Sequence, residues 1–174
     1  LEQLQGKIKL HGTKDRSHLE ILGFKGRSLG GEILVHGVAD FVSGLDEGQG
    51  LGLDMSVVAR GIDVDEALKE VLINQEMLRE SVWDMARPAG QIDVVQKIHR
   101  KVGAKEFETE LILDLREMSS SAELLPDRLT RASGEVRIDN DRVVHLSEVE
   151  GYVGEARLAC REGTIRVEDD KTAV

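Results

Sequence analysis

The chain has 174 residues, 40% hydrophobic and 32% charged, enough for one domain or for one segment of a longer repeating protein, and unlike a disordered composition. Lys and Arg number 23 against 33 Asp and Glu; the net charge of -10 argues against a nucleic-acid binder or a partner of anionic lipid headgroups, since both need cationic surface. No apolar run exceeds three residues, so the sequence holds neither a transmembrane helix nor a signal-peptide core.

The chain opens Leu1-Glu2-Gln3-Leu4 without a Met, and the expectation is a segment of a larger protein. Aromatics are only 3% (Phe24, Phe41, Phe107, Trp83 and Tyr152), while Gly reaches 18 residues. Many glycines and aliphatic β-formers with few aromatics suggest short strands, tight turns and a thin aliphatic layer. The one cysteine, Cys160, cannot close an internal disulfide. It alternates with Ala156 and Leu158 and reads as a small core residue.

In chain order, Gly6-Lys7-Ile8-Lys9-Leu10 alternates, with Ile8 and Leu10 on one face. A turn at 11–15 leads to Leu19-Glu20-Ile21, which alternates again; Gly26 and Gly30-Gly31 are read as breaks. Ile33 and Val35 share a face. After a loop at 44–50, Leu51, Leu53, Met55 and Val57 alternate with Gly52, Asp54, Ser56 and Val58.

The spacing then predicts one amphipathic helix over about 65–86. Asp63 is the expected N-cap, with Glu66 completing a capping box. Leu68, Val71, Leu72, Leu78, Val82 and Met85, with Gln75, form its apolar stripe; Glu70, Glu76, Arg79, Glu80 and Asp84 form its polar face. Pro88 and Gly90 end it. Its acidic polar face argues for packing on the sheet rather than on a membrane surface.

Strands resume at Ile92 and Val94. Phe107, Thr109, Leu111, Leu113 and Leu115 then share a face, with Glu106, Glu108, Glu110 and Asp114 on the other. A polar connection from Ser119 to near Pro126 precedes Val136 and Ile138, a turn at Asp139-Asn140-Asp141, and Val144 with Leu146. Tyr152, Ala156-Leu158-Cys160 and Ile165-Val167 complete the strands. The acidic tail, 168–174, is expected to be disordered.

An internal repeat runs through this pattern. Gly6-Lys7-Ile8-Lys9-Leu10 matches Gly134-Glu135-Val136-Arg137-Ile138, and a weaker copy starts at Gly90-Gln91-Ile92-Asp93-Val94. Downstream, Leu19-x-Ile21-x-x-Phe24-Lys25-Gly26 matches Val144-x-Leu146-x-x-Val149-Glu150-Gly151. Such units, stacked edge to edge, would build a long sheet with one apolar face.

Chemistry-bearing motifs fail on context. Gly26-Arg27-Ser28-Leu29-Gly30 has nucleophile-elbow spacing, but the elbow needs a helix after the serine and Glu32-Ile33-Leu34-Val35 reads as strand. His11, His18, His36, His99 and His145 show no metal-ligand spacing. Asp139, Asp141 and Glu150 imitate the ends of a calcium loop whose middle would be Val143 and Val144. The Glu106-Glu108-Glu110 row reads as a solvated face. No cofactor and no catalytic or metal-binding residue is expected.

Leu4-Gln5-Gly6-Lys7-Ile8-Lys9-Leu10, then Leu19 to Gly26, then Gly30-Gly31-Glu32-Ile33-Leu34-Val35-His36-Gly37, resembles repeats of the AsmA/TamB-like bacterial envelope proteins. Leu129 to Arg142 followed by Val149-Glu150-Gly151-Tyr152-Val153-Gly154 is similar, as is the re-entry from Trp83-Asp84 to Pro88-Ala89-Gly90-Gln91-Ile92-Asp93-Val94. The likeness covers about 4–42 and 83–167; the helix at 65–86 departs from it. The resemblance implies a curved β-groove that holds lipid acyl chains and passes them between envelope membranes, outer-membrane biogenesis in the periplasm, and the remainder of a parent chain at the sheet edges.

The expected fold is α+β: a mostly antiparallel, twisted or curved sheet of repeated short strands, with one long helix packed on it, in a single domain or repeat segment over 1–167. The expected function is non-enzymatic lipid binding or conduction. Its groove-lining candidates are Ile8, Leu10, Leu19, Ile21, Leu53, Met55, Phe107, Leu111, Leu113, Val136, Ile138, Val144 and Leu146. Taken singly, each reads first as an ordinary core residue beneath the helix. The alternative is a structural or protein-interaction module whose helix covers the whole face, with assembly by strand addition at the edges.

Overall fold

Alternation and tight turns produce one antiparallel meander. The computed structural model describes residues 2–46, 49–74, 80–122, 126–141 and 143–166; the 168–174 tail, and Gln75, Glu76, Leu78 and Arg79 of the expected helix, lie outside them. The strands are β1 (Glu2–Gly12), β2 (Arg16–Ser28), β3 (Gly31–Val42), β4 (Leu51–Val64), β5 (Pro88–Arg100), β6 (Glu108–Ser120), β7 (Leu129–Ile138), β8 (Val143–Val153) and β9 (Ala156–Arg166). They form a nine-stranded sheet in sequence order, with every neighbouring pair antiparallel. Two helices, α1 (Glu66–Asn74) and α2 (Glu80–Ala86), lie in the β4–β5 connection. One end of the sheet therefore carries these helices, and the other carries the β1–β2, β3–β4, β5–β6 and β7–β8 loops.

The turns follow from local chemistry. Leu29 and Gly30, at φ 51° and 78°, make a two-residue turn between β2 and β3 whose left-handed residues match the strand twist. The Asp139 side chain accepts hydrogen bonds from the Asp141 and Val143 amides, both at 3.0 Å, and closes the β7–β8 turn.

The strands are longer than expected, from 10 residues in β7 to 14 in β4. Irregularities that read as breaks are bulges inside continuous strands. In β2 the register shifts between Ile21 and Phe24, with Gly23 at φ 68°; Gly26 lies within the ladder opposite Ile33. The same step occurs in β4 between Ala59 and Ile62 (Gly61, φ 64°) and in β6 between Leu115 and Met118 (Glu117, φ 48°). In β8 Glu148 adopts φ 48° between Leu146 and Val149. Each extra residue keeps the apolar side chains before and after it on one face. At the β4 bulge the Gly61 amide, released from the ladder, donates to the Asp93 carboxylate at 2.8 Å, and Arg116 grips the same carboxylate.

The helical region corrects the sequence reading. The structure describes two short helices rather than one long one. The cap is Asp65, not Asp63: its carboxylate accepts from the Ala67 and Leu68 amides at 3.0 and 3.1 Å. Asp63 is still in β4, where it accepts from the Gln91 side chain at 2.9 Å. The burial also departs from a single stripe. Leu68 and Trp83 are buried, whereas Val71 and Met85 are 44% and 46% exposed. Lys69 explains the arrangement, since its ammonium meets Glu66 of its own helix at 3.7 Å and Glu80 and Asp84 of α2 at 3.6 and 2.8 Å. The ion pairs tie α2 to α1, and burial follows the shared cluster of Leu68 and Trp83 rather than one cylinder's period. The Asp84 hydrogen bond and the three carboxylates raise the Lys69 pKa above its ordinary value, against some desolvation.

The core sits at this end. Ala59, Ile62, Val64, Ile92, Met118 and Ala132 of the sheet join Leu68 and Trp83, with Leu72, Ile33, Val94, Leu113, Leu115 and Leu129 packed around them.

Candidate apolar ligand face

The register brings the sequence-selected residues together. Ile8 faces Ile21 and Leu10 faces Leu19 across β1 and β2. Leu53 faces Ala39, and Met55 faces Gly37. Leu111 and Leu113 face Ile138 and Val136, which in turn face Val144 and Leu146. Directly opposed residues share a side of the sheet, so these twelve lie on one face. The thirteenth, Phe107, precedes β6 in the β5–β6 loop. The Arg100 guanidinium stacks on its ring at 4.3 Å, and Arg100 Nε donates to the Leu51 carbonyl at 2.8 Å.

Following the pairs strand by strand reveals two rows across seven strands. One runs Val35, Val57, Gln96, Leu111, Ile138, Val144, Ile165; the next runs Ile33, Ala59, Val94, Leu113, Val136, Leu146, Gly163. Sequence reasoning left Val35, Val57, Val94, Ile98 and Ile165 out of the groove-lining candidates, although each stands in a period-2 run. The signal was present; pairing was needed to join the runs.

The helices cover part of this face. The cluster beneath α1 and α2 reaches the row of Ile33, Val94 and Leu113. The row of Val35, Val57 and Leu111 lies outside it and is half-buried in the central strands; nearer the loops Met55 and Ile98 are half-buried too, while Ala39 and Arg100, either side of Leu53, are buried. At the outer strands the face is open: Ile8 and Leu10 are 55% and 69% exposed in β1, and Leu158 and Ile165 are 47% and 52% exposed in β9.

The opposite face is polar and cross-braced outside an apolar row of Leu34, Val58, Val95 and Ile112 in the central strands. Lys97 faces Glu110 at 2.8 Å, Arg137 reaches Glu110 at 3.5 Å, and His18 faces Asp40 at 2.7 Å. The Glu110 pKa is lowered, first by the Lys97 hydrogen bond. The acidic side of β6 is therefore partly neutralised by cations from β5 and β7, a structural use of its carboxylates. Asp139 is lowered by His145, at 3.0 Å, and by the amides it caps.

Ser28 ends β2 and is followed by a turn and a strand, the wrong context for a nucleophile elbow. Among the described residues no group of three His, Cys, Asp or Glu is arranged around a metal position, and no buried side-chain nitrogen or oxygen lacks a partner. A shallow hollow of about 580 Å³ at the loop end includes His18, Asp40, Phe41 and Val102. Its His18 and Asp40 are exposed and paired with each other, and the apolar face is the better candidate. Among the described residues no helix is long and apolar enough to cross a membrane.

No protein-family model matches the chain, and neither a curated protein nor a solved structure does.

Proposed function

We propose that the protein is a non-enzymatic segment of an AsmA-like cell-envelope protein that binds or conducts lipid acyl chains along the open part of its apolar face. The observation that carries this reading is the largely aliphatic surface that runs across the strands, broken by Gln96 in one row, and that lies outside the helix-covered cluster and open at the outer strands. Surfaces of this kind on soluble sheets mark places where another apolar body lies. An acyl chain suits it because the lining is branched aliphatic, and each methylene removed from water contributes about 0.8 kcal/mol without a directed polar contact. The periplasmic setting and a role in outer-membrane biogenesis rest on the resemblance of the strand phrases.

Native mass spectrometry of the purified chain, with lipid extraction of the same sample, tests the proposal. Stoichiometric phospholipid is expected, and Leu111→Asp is expected to lose it while circular dichroism keeps the β signature. A mass that stays free of lipid after incubation with phospholipid vesicles would sink the idea. A second reading has its own support: β1 and β9 are the outer strands of the described sheet, and an outer strand can pair with another polypeptide. The lipid-free result would move the function there.

A further inference from the structure

The meander is four copies of one hairpin followed by a ninth strand. In each copy a glycine of the first strand meets the bulge of the second. A β-carbon at Gly6 would lie 2.7 Å from Phe24 Cα; one at Gly90, 2.9 Å from Met118 Cα; one at Gly134, 2.6 Å from the Glu148 carbonyl oxygen and Val149 Cα. At Gly31 it would overlap the Arg60 carbonyl beside Gly61. These approaches are backbone contacts, so the glycine is a fixed part of the hairpin.

Strand β9 repeats the first-strand phrase: Gly163-Thr164-Ile165-Arg166 follows Gly134-Glu135-Val136-Arg137. Its facing partner repeats too: Gly163 faces Leu146 of β8 as Gly134 faces Leu115 of β6, each the apolar residue just before a bulge, although the register shifts between β6 and β7 past this pair and stays constant between β8 and β9. Yet a β-carbon at Gly163 would meet side-chain atoms, Cys160 Sγ at 3.0 Å and Leu146 at 3.5 Å and beyond. Within this sheet, the backbone approach that makes the other four glycines necessary is absent at Gly163.

We infer that β9 is the first strand of a fifth hairpin, and that its outer edge receives an antiparallel strand of the second-strand phrase: aliphatic, any, aliphatic, any, a left-handed residue, aliphatic. The bulge of that strand would lie over Gly163 as Glu148 and Val149 lie over Gly134. A second copy of this chain is the wrong occupant. Its outer strands, β1 and β9, both carry the glycine and, among the described residues, neither holds the left-handed residue of the second-strand phrase. The inference rests on the hairpin geometry and is independent of the lipid reading.

The probe is a fluorescein-labelled peptide of the β8 sequence, Val143–Val153, titrated into the purified chain by anisotropy, with amide exchange measured on the complex. Saturable binding that slows exchange in β9 and leaves β1 unchanged is expected. Gly163→Val, which suits a strand and meets movable side chains within the chain, should bind the peptide at least about tenfold more weakly at an unchanged melting temperature. A peptide lacking the residue equivalent to Glu148 should also bind weakly, whatever the variant does to folding. Absence of peptide binding, equal binding by the shortened peptide, undiminished binding to Gly163→Val, or protection at β1 overturns the inference. So does a dimer whose β9 amides are protected before peptide is added, because the occupant is then a second copy.

Discussion

At the helix end of the sheet, Ile62 and Ile92 face each other across β4 and β5 and are 2% and 6% exposed. Three pairs further along the same two strands, Met55 faces Ile98 and both stay half-buried. Apolar character, strands and face are shared. What differs is Leu68 and Trp83, brought over the first pair by α1 and α2. Burial of this pair therefore follows the β4–β5 insertion, whereas Ala39 and Arg100 are buried at the other end without it, and the alternating pattern alone does not distinguish a core from a binding face.

The contrast is open to direct attack. Trp83→Ala removes the large side chain that closes the covered end and is expected to cost about 3–5 kcal/mol. Leu111→Ala, in the row beyond the helix-covered cluster, is expected to cost about 1 kcal/mol or less, because its side chain is half-buried before truncation. Urea unfolding of both variants measures the gap. Equal losses would mean that the open rows are as much core as the covered ones, and the ligand face would lose its basis.

The comparison also explains what was legible in the sequence. Alternation at Leu51–Val57 and Thr109–Leu115 located strands and the apolar side correctly, because a period of two reports which side chains share a face. It blurred in the central strands, where Leu34, Val58, Val95 and Ile112 form an apolar row on the polar side. Leu34 stands where the repeat phrase calls for a charge, and this hid the copy beginning at Gly31. The two unassigned residues between Ile21 and Phe24, and between Leu146 and Val149, looked like spacing. They are bulges, visible once a partner strand fixes the register. The helix stripe failed for a related reason: Lys69 and its carboxylate partners couple two helices, an interaction that a single-helix period cannot contain.

A smaller effect sharpens the view of the bulge row at the boundary of the two ends. Gly61 and Glu117 occupy the same left-handed position in β4 and β6. A β-carbon at Gly61 would meet open space, so Gly61→Ala isolates backbone strain, about 1–2 kcal/mol. Glu117→Gly relieves such strain while adding freedom to the unfolded chain, and the two nearly cancel, leaving a change within about 0.5 kcal/mol. Thermal melts of the two variants decide whether the bulge conformation is the shared requirement. A stabilised Gly61→Ala would show that it is not.

The smallest expected effect belongs to the open end. The Asp139 carboxylate closes the β7–β8 turn as an anion, and its pKa is held below the ordinary value of 3.8 by His145 and the Val143 and Asp141 amides. A depressed folded-state pKa means that the unfolded chain takes up the proton first. The contribution is therefore complete above 3.8 and is lost as pH falls through the lowered folded-state value. Asp139→Asn retains an oxygen for the two amides but has no charge to titrate. Its melting temperature should fall less steeply than that of the native chain in this acid range, and the two should run parallel above it. Because the turn is remote from α1 and α2, amide exchange at acid pH should rise in β7 and β8 near the turn before it rises around Ile62 and Trp83. Simultaneous opening of both regions would show that the covered core and the open face unfold as one unit, and the division between the two ends would then be one of exposure alone.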